Sequence, residues 1–381
     1  MAGKEKGRGH GHATAAAGRV AGAMSGTSFD GVDVAVIETD GVDIMAFGEV
    51  GETAYSEADR AVLRAAMGAW PGEARAQAAA EVVEAAHIAA LADISDVSLL
   101  GFHGQTLAHD PEGGRTHQVG DGQVLADALG VEVISDFRSA DVGLGGQGAP
   151  LAPFYHWACA RWIGADAPVV FLNLGGVANI SCVDPRTGAP EDPGACLAFD
   201  TGPANAPVDD LMATRGLGRF DKDGALAGQG QIDMQILERM LSDAWFETAP
   251  PKSLDRDAFA ALSDAVSDLS DADAAATLTA CSAGAVGRAL PHLPNKPAIL
   301  YATGGGRRNA TLMAMLADAT AADVVPVEAV GLDGDALEAQ AFAYLARRVD
   351  LGLPTSAPGT TGVAAPVGGG HRARPNRKRQ G

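Results

Sequence analysis

Three glycine-containing turns follow apolar segments that have the composition of β-strands. They cover residues 24–31, 200–205 and 303–309. A phosphate group is bound by backbone N–H groups that come close to it, and glycine permits that approach because it has no side chain. In the first turn, the hydroxyl groups of Thr27 and Ser28 would add two donors. One such turn is a weak signal, but three in one chain predict a site for a ligand that carries phosphates.

The three turns do not have the sequences of two well-known nucleotide-binding loops. The loop GxxxxGK[ST] places a lysine beside the phosphates, and none of these turns contains a lysine. The pattern GxGxxG opens a strand–helix unit that is followed by a distal acidic residue, and no turn here fits that arrangement. The sequence therefore disfavours a Walker-type loop and a Rossmann dinucleotide site.

A carboxylate stands where an apolar strand runs into the second turn. Asp200 lies between Phe199 and Thr201, and there it could accept a proton from an attacking hydroxyl group or water. Capping of the following turn is an equally weighted alternative. Phosphoryl transfer requires a positioned nucleophile, neutralisation of charge and usually magnesium. Phosphate-binding turns and one carboxylate are the smallest set that could perform it.

Two further polar residues follow apolar segments. His103, in HGQT, could act as a general acid or contact a sugar hydroxyl group, and a structural histidine is an equal alternative. Arg138, in DFRSAD, is of the type that binds a carboxylate through two parallel hydrogen bonds. Pairing of this arginine with an aspartate of the same loop is the competing interpretation.

The elements that must position these side chains follow a mixed α/β pattern. Helical periodicity is found over residues 57–67 and 73–92, and over one long region, 258–289. Each half opens with three strand-like segments in succession, which predicts an antiparallel meander in both halves and a structural duplication without a sequence repeat. These segments are residues 20–24, 32–37 and 42–50 in the first half, and 169–174, 177–183 and 196–199 in the second.

Composition narrows the classes of function. The 381 residues fit two domains with a cleft between them, and the net charge of −20 argues against a nucleic-acid partner. The four cysteines form no CxxC pair and are expected to be reduced and buried. No apolar run is long enough for a transmembrane helix, and no secretory signal follows the basic N-terminus. We therefore expect a cytoplasmic protein with no membrane partner.

The two ends of the chain lack periodicity. Residues 1–17 contain a GHGH tract that could bind a metal, but a disordered tail is the simpler interpretation. Residues 354–381 are rich in proline, glycine, threonine and alanine, and they end in a basic run. We predict that this segment is a disordered, solvated tail as well.

Seven blocks of sequence together carry a resemblance to a known family. The blocks are GAMSGTSFDGVD, GFHGQTLAHDP, DFRSADVGLGGQGAPL, FLNLGGVANIS, AFDTGPANAPVDDLM, YATGGGRRN and GLDGDALEAQAFAYLA. They resemble the anhydro-N-acetylmuramic acid kinases, and the resemblance extends from about residue 20 to about residue 350. Because several long blocks match in order, it is far more specific than any single turn.

The resemblance implies an α/β, two-domain, actin-like ATPase (ribonuclease H-like) fold, with mixed five-stranded sheets flanked by helices and ATP in the interdomain cleft. The first domain would comprise residues 18–152 and about 340–353, and the second residues 153–339. The implied reaction opens 1,6-anhydro-N-acetylmuramic acid with water and phosphorylates O6 to give N-acetylmuramic acid 6-phosphate. That reaction belongs to peptidoglycan recycling and amino-sugar metabolism. A homodimer is compatible with the family, although the sequence does not determine the oligomeric state.

The resemblance also implies which residues bind ATP and Mg²⁺. The ligands of the metal stay unassigned, with Asp30 as a candidate. The residues implied for the nucleotide lie in all three turns: Gly26, Thr27, Ser28, Phe29, Asp30, Gly31, Val32, Asp33, Gly202, Gly304, Gly305, Gly306 and Asn309.

For catalysis, the resemblance implies that Asp200 activates the attacking water and that Glu338 is a second acidic group near the sugar. A base that works in this way should be ionised at neutral pH, so we expect that its pKa is not strongly raised. The residues matched to the region around the sugar are Arg138, Asp141, Gly146, Gln147 and His103.

One departure from the family pattern stands in the second turn. The family commonly has DTGPGN, where this chain has Ala204. A methyl group would narrow the backbone conformations open to the turn, with a small effect if φ is negative and a slower reaction otherwise.

Two other functions stay open at this point. One is a kinase of the same fold that acts on another sugar or on a carboxylic acid. The other is a nucleotide-dependent switch without enzymatic activity. A panel of substrates with ATP would separate these from the anhydro-sugar kinase.

Overall fold

The computed structural model describes residues 16–26, 28–254 and 258–376. The strands within these residues are β1 (Gly18–Ser25), β2 (Gly31–Thr39), β3 (Ile44–Ala54), β4 (Leu99–Asp110), β5 (Arg115–Val119), β6 (Glu132–Ser135), β7 (Val169–Leu174), β8 (Val177–Val183), β9 (Cys196–Pro203), β10 (Ile299–Thr303), β11 (Asp323–Pro326) and β12 (His371–Ala373). The helices are α1 (Glu57–Ala66), α2 (Ala74–Leu91), α3 (Gly122–Leu129), α4 (Ser139–Gly143), α5 (Pro153–Trp162), α6 (Ala206–Thr214), α7 (Met234–Leu241), α8 (Ala261–Ala265), α9 (Asp271–Ala289), α10 (Ala310–Thr320), α11 (Leu337–Asp350) and α12 (Pro358–Thr361).

The strands form two sheets whose central strands have the same order. In the first sheet, β1, β2 and β3 form an antiparallel meander, and β4 and β6 are added in parallel on the other side of β1. In the second sheet, β7, β8 and β9 form the meander, and β10 and β11 are added in parallel beside β7. The two meanders and the structural duplication predicted from the sequence are therefore confirmed.

The first sheet is larger than the expected five strands. It has seven, because β5 pairs with β4 and β12 pairs with β6. The hairpin of β4 and β5 also places His103 inside a long strand, not at the end of a short one. The predicted long helical region 258–289 is interrupted as well. The Ser270 hydroxyl accepts a hydrogen bond from the Asp273 N–H and so caps the N-terminus of α9.

Alternating side chains explain how the first sheet packs. Val32, Val34 and Val36 of β2 belong to the same apolar core as Leu63 of α1 and Val83 of α2. The intervening residue Ala35 contacts α11. This alternation follows from the two-residue period of a strand, which sends successive side chains to opposite faces. The sheet therefore has α1 and α2 on one face and α11 on the other.

Helix α11 lies directly against the first sheet, and glycine makes this possible. A Cβ atom at Gly22 of β1 would stand 1.9 Å from the Ala339 carbonyl oxygen, and one at Gly101 of β4 would stand 2.2 Å from that of Phe342. Any side chain at these positions would push the helix away from the strands. The largest apolar core contains residues of β1, α5, β7 and α11, so α5 and α11 lie between the two sheets.

The C-terminal segment is folded, contrary to the prediction of a tail from residue 354 onward. Strand β12 pairs antiparallel with β6, and Thr355, Ser356, Thr360 and Thr361 are buried. Periodicity could not reveal this segment because its order comes from contacts with distant parts of the chain. Residues 1–15, with the GHGH tract, and residues 377–381 lie outside the described part.

Two expectations from composition can be compared with the structure. The four cysteines are free and buried, as expected. Among the described residues, no helix combines the length and the apolar character needed to cross a membrane.

Candidate active site

A cleft of about 420 Å³ opens between the two halves of the molecule. Residues of both sheets line it, together with the loop before α5 and the first two turns of α11. The predicted site residues that line it are Ser28, Arg138, Gly304, Gly305 and Glu338. The cleft thus brings together the first turn, the third turn and two side chains expected near the sugar.

The first turn is held in shape by the side chain of Phe29. The Phe29 N–H donates to the Gly26 carbonyl oxygen (3.2 Å), and Phe29 has a φ of 57°, which is unusual for a residue with a side chain. Burial of its ring in the core with Val32 holds this conformation. Ser28, by contrast, is exposed and faces the cleft. Phe29, Gly31 and Val32 therefore support the turn from behind, and Thr27 lies outside the described residues.

Two carboxylates belong to this turn and the strand after it. Asp30 is exposed and accepts a hydrogen bond from Arg219 (3.0 Å). Asp33 is half-buried, and burial raises its pKa to about 7, with the charges of Glu52 and Glu338 adding to the effect. A proton or a cation beside Asp33 would relieve this repulsion. In the described part of the chain, no three acidic, histidine or cysteine side chains are grouped as a metal site.

A row of polar residues crosses four adjacent strands of the second sheet. Thr303 of β10 is paired with Asn173 of β7, Asn173 with Asn179 of β8, and Asn179 with Asp200 of β9. Directly paired residues point their side chains to the same face of a sheet. The row therefore connects the proposed base at one end to the third turn at the other.

Asp200 is held by the backbone of residues 252–254. Its N–H donates to the Lys252 carbonyl oxygen (3.0 Å), and its Oδ2 accepts from the Leu254 N–H (2.8 Å). Burial raises the pKa of Asp200 to about 6, and the Leu254 hydrogen bond opposes that effect. The expectation of a pKa that is not strongly raised was therefore wrong. The carboxylate is nevertheless mostly ionised at pH 7, as a base must be.

Reasoning from the sequence missed Asn173 and Asn179, which line the cleft. The Thr303 hydroxyl donates to Asn173 Oδ1 (3.3 Å), which leaves the Asn173 amide nitrogen for a ligand. Gly175 also lines the cleft. It lies in the turn between β7 and β8, which is the equivalent in the second sheet of the turn between β1 and β2 in the first sheet. The signal was present in the block NLGGVAN, but only the strand pairing shows that its polar residues share one row.

The third turn combines residues that face the cleft with residues that maintain its shape. Gly304 has a φ of 71°, and a Cβ atom there would stand 2.5 Å from Asn173 Oδ1. At Gly306 a Cβ atom would stand 2.7 Å from the side chain of Leu174. Asn309 caps α10, because its Oδ1 accepts from the Leu312 N–H (2.8 Å). Gly306 and Asn309 therefore have structural roles.

The second turn does not line the cleft. Gly202 has a φ of 149°, and a Cβ atom would stand 2.6 Å from the side chain of Ala285. Ala204 is buried, and its backbone is not in the positive-φ region. Its carbonyl oxygen accepts from the Ser282 hydroxyl (2.8 Å). The methyl group that departs from the family pattern therefore imposes no backbone strain.

Arg138 reaches the cleft from the first half and is fixed by two acceptors. One terminal nitrogen donates to the Gly148 carbonyl oxygen (2.7 Å), and Nε donates to Nε2 of His103 (3.1 Å). An arginine can only donate, so His103 Nε2 must accept, and the ring is neutral with its proton on Nδ1. That proton is donated to the Gly104 carbonyl oxygen (2.9 Å).

This arrangement excludes His103 as a general acid. Burial and the charge of Arg138 hold the pKa of His103 well below its usual value, so the ring has no acidic proton to offer the sugar at neutral pH. Its role is to orient Arg138. Glu338 is open to the cleft at the first turn of α11. The protein groups around it raise the pKa of Glu338 by displacing water, and the charge of Arg138 opposes that shift.

The other residues predicted for the sugar stand behind the cleft wall. Asp141 is buried, and its two oxygens accept from the Gly148 N–H (2.7 Å), the Thr361 hydroxyl (2.6 Å) and the Ser356 hydroxyl. A Cβ atom at Gly146 would collide with this carboxylate at 2.1 Å. Asp141 and Gly146 therefore fix the loop before α5 to the C-terminal segment.

Gln147 joins the same loop to the segment that holds Asp200. Its N–H donates to the Thr361 carbonyl oxygen (2.7 Å), and its Oε1 accepts from the Ser253 hydroxyl (3.4 Å). Ser253 precedes Leu254, the donor to Asp200. Gln147 does not line the cleft, so it links the two halves beside the site.

Comparison with known proteins identifies the family. The anhydro-N-acetylmuramic acid kinase family matches residues 18–371. The chain belongs to this family. It is 74% identical over 355 residues to anhydro-N-acetylmuramic acid kinase 1 of Jannaschia sp., with 93% of this chain and 95% of the relative covered. It is 65% identical to the anhydro-N-acetylmuramic acid kinase of Cereibacter sphaeroides, with the same coverage.

Solved structures resemble the chain more distantly. A ROK family glucokinase from Streptomyces griseus, in complex with glucose and AMPPNP, matches with a TM-score of 0.43 at 13% identity. It covers 87% of this chain and 100% of the glucokinase chain.

For this member of the anhydro-N-acetylmuramic acid kinase family, the site has three parts. The turn between β1 and β2 and the turn between β7 and β8 occupy equivalent positions in the two sheets, and both line the cleft. Arg138 and Glu338 bring opposite charges to one wall. Asp200 provides an ionised carboxylate at the end of the polar row. Such a set can bind an anionic ligand, hold a polar substrate and remove a proton from water.

Proposed function

We propose that the protein is an ATP-dependent anhydro-N-acetylmuramic acid kinase. It opens the 1,6-anhydro bridge with water and phosphorylates O6, which gives N-acetylmuramic acid 6-phosphate for peptidoglycan recycling. The observation that supports this most directly is the polar row, in which Asp200 and Thr303, the first residue of the third turn, share one face of one sheet.

The chemistry needs a single base for two bond changes. The Asp200 carboxylate takes a proton from water while the water oxygen bonds to the anomeric carbon and the bond from that carbon to O6 breaks. The released O6 carries the electron pair and attacks the γ-phosphorus of ATP, and the bond from phosphorus to the ADP oxygen breaks. Arg138, held by His103 and Gly148, would orient the sugar, with Glu338 beside it.

The nucleotide would be held by the first turn, by Gly175 and by the third turn. Gly304 and Gly305 line the cleft, and their lack of side chains permits close contact with adenosine. Gly202 and Asn309 would support these turns indirectly.

Magnesium fits this site as an ion that arrives with the phosphates. Mg²⁺ commonly takes one or two carboxylates, with phosphate oxygens and water as its other ligands. Asp33, with its raised pKa and acidic neighbours, is the carboxylate that would gain most from a nearby cation, and Asp30 is the second candidate. The ion would neutralise phosphate charge during transfer.

Incubation with ATP, magnesium and the anhydro-sugar in ¹⁸O-labelled water tests the proposal. We expect the label on the anomeric hydroxyl group and the phosphate on O6, as measured by mass spectrometry. Phosphorylation of a plain hexose with no reaction of the anhydro-sugar would instead identify a different kinase of this fold. Consumption of neither substrate would favour a nucleotide-dependent switch.

Two properties of the whole protein accompany this proposal. We place the reaction in the cytoplasm, where ATP is available. A homodimer stays a prediction, which sedimentation of the full chain would test.

A further inference from the structure

His156 of α5 stands in the wall of the cleft without any role assigned so far. Its side chain is only 6% exposed, and the ring stacks on Phe171 with the ring centroids 4.6 Å apart and the planes at 19°. Nδ1 is buried and has no hydrogen-bond partner. A buried polar atom without a partner is costly, so its retention beside a ligand cleft requires an explanation.

The second ring nitrogen is the one that faces the cleft. Nε2 makes no hydrogen bond within the described residues, but unlike Nδ1 it is not fully buried. Since His156 lines the cavity, the exposed side of the ring is the side with Nε2. An unpaired N–H is tolerated less well in the interior than an unpaired acceptor, which favours the tautomer with its proton on Nε2. Burial lowers the pKa of His156 to about 4, so the ring is neutral at physiological pH. His156 therefore offers the cleft one neutral N–H donor.

Apolar residues line the wall of the cleft immediately before His156 in the chain. Ala152 precedes His156 by one helical turn and accepts its backbone N–H (2.9 Å), and Pro150 and Leu151 line the same stretch of wall. A neutral donor that follows an apolar stretch of the wall matches a neutral acceptor that carries a small apolar group. A carboxylate of the ligand would find a better partner in Arg138, which offers charge and several donors.

We propose that His156 donates a hydrogen bond from Nε2 to the carbonyl oxygen of the substrate's acetamido group, while its apolar neighbours accept the methyl group. His156 thereby selects N-acetylated sugars. This inference rests on the proposed function, since the anhydro-sugar named there carries an acetamido group on C2. His156 takes no part in proton transfer and acts on specificity.

A cycle of enzyme and substrate variants tests the assignment. The kcat/KM is measured for 1,6-anhydro-N-acetylmuramic acid and for the analogue with a hydroxyl group in place of the acetamido group. His156→Phe keeps an aromatic ring against Phe171 but removes the donor. We expect a loss of about tenfold on the acetamido substrate, the usual effect of one lost neutral hydrogen bond, and little change on the analogue. An equal loss on both substrates, or on neither, would overturn the assignment.

A second pair of variants guards against a folding defect. The amide nitrogen of glutamine can take the place of Nε2, whereas that of asparagine corresponds to Nδ1. His156→Gln should therefore keep most of the preference for the acetamido substrate, and His156→Asn should lose it. Similar selectivity in both variants would contradict a role for Nε2.

His87 provides a matched control. It is also buried, its Nε2 is unpartnered, and its ring packs against that of Phe102, yet it lies on α2 and does not line the cleft. His87→Phe should leave the ratio of the two kcat/KM values unchanged. If the wild-type protein fails to convert the anhydro-sugar at all, the proposed function and this inference both fall. If conversion occurs and the cycle shows no coupling, only the assignment of His156 falls.

Discussion

Asp200 illustrates how burial sets the working range of a single residue. Its pKa of about 6 means that the basic form predominates above pH 6 and is lost below it. We therefore expect kcat/KM to fall by about tenfold per pH unit below that value, as for a single required base. A pH profile with an unchanged acidic limb down to pH 5 would contradict this assignment. Asp200→Asn should lower turnover on the order of 10³-fold and leave ATP binding nearly intact.

Asp33 makes a prediction about stability. Its pKa is raised from 3.8 to about 7, so the folded state binds this proton more tightly than the unfolded state. The associated stabilisation is complete below pH 4 and is lost as the pH rises through 7. Asp33→Asn should therefore raise the melting temperature more at pH 8.5 than at pH 5. Asp30→Asn is the control, because its carboxylate is exposed and paired with Arg219, and it should show no such gain.

At the scale of the elements, the third turn depends on a glycine in a conformation that other residues disfavour. Gly304→Ala would force a Cβ atom to within 2.5 Å of Asn173 Oδ1 at a φ of 71°. We expect a loss of about 1–3 kcal/mol in the free energy of unfolding, the usual range for such strain. At Gly305 a Cβ atom would meet nothing within 4 Å, so Gly305→Ala should leave the melting temperature unchanged. Equal melting temperatures for the two variants would show that the turn relaxes.

At the scale of the whole molecule, two ion pairs join the halves in different environments. Arg348 of α11 is 1% exposed and donates to Glu191 (2.6 Å), to the Gly41 carbonyl oxygen (2.9 Å) and to that of Pro354 (2.6 Å). Arg219 and Asp30 form an exposed pair. Arg348→Ala should cost about 3–5 kcal/mol in denaturant unfolding, because it leaves Glu191, whose side chain is only 13% exposed, without its partner. Arg219→Ala should cost about 1 kcal/mol or less, and the reverse ranking would refute this account.

Site residues could be predicted from the sequence where a local motif marks them, and they were missed where their role depends on residues far away in the chain. Asp200, Arg138 and Glu338 could be found because each stands in a distinctive block of sequence. Asn173 and Asn179 were missed because their alignment with Asp200 depends on strand register. The protonation of His103 depends on Arg138, which is 35 residues away.

The sequence by itself determined the family, the mixed α/β class and the two meanders, because these depend on local composition and on the order of the blocks. Only the tertiary structure decided that residues 354–376 are folded, that Asp141 supports the site from behind, and that burial raises the pKa of Asp200. Strand pairing, burial and enclosure arise between residues far apart in the chain, so no local pattern encodes them.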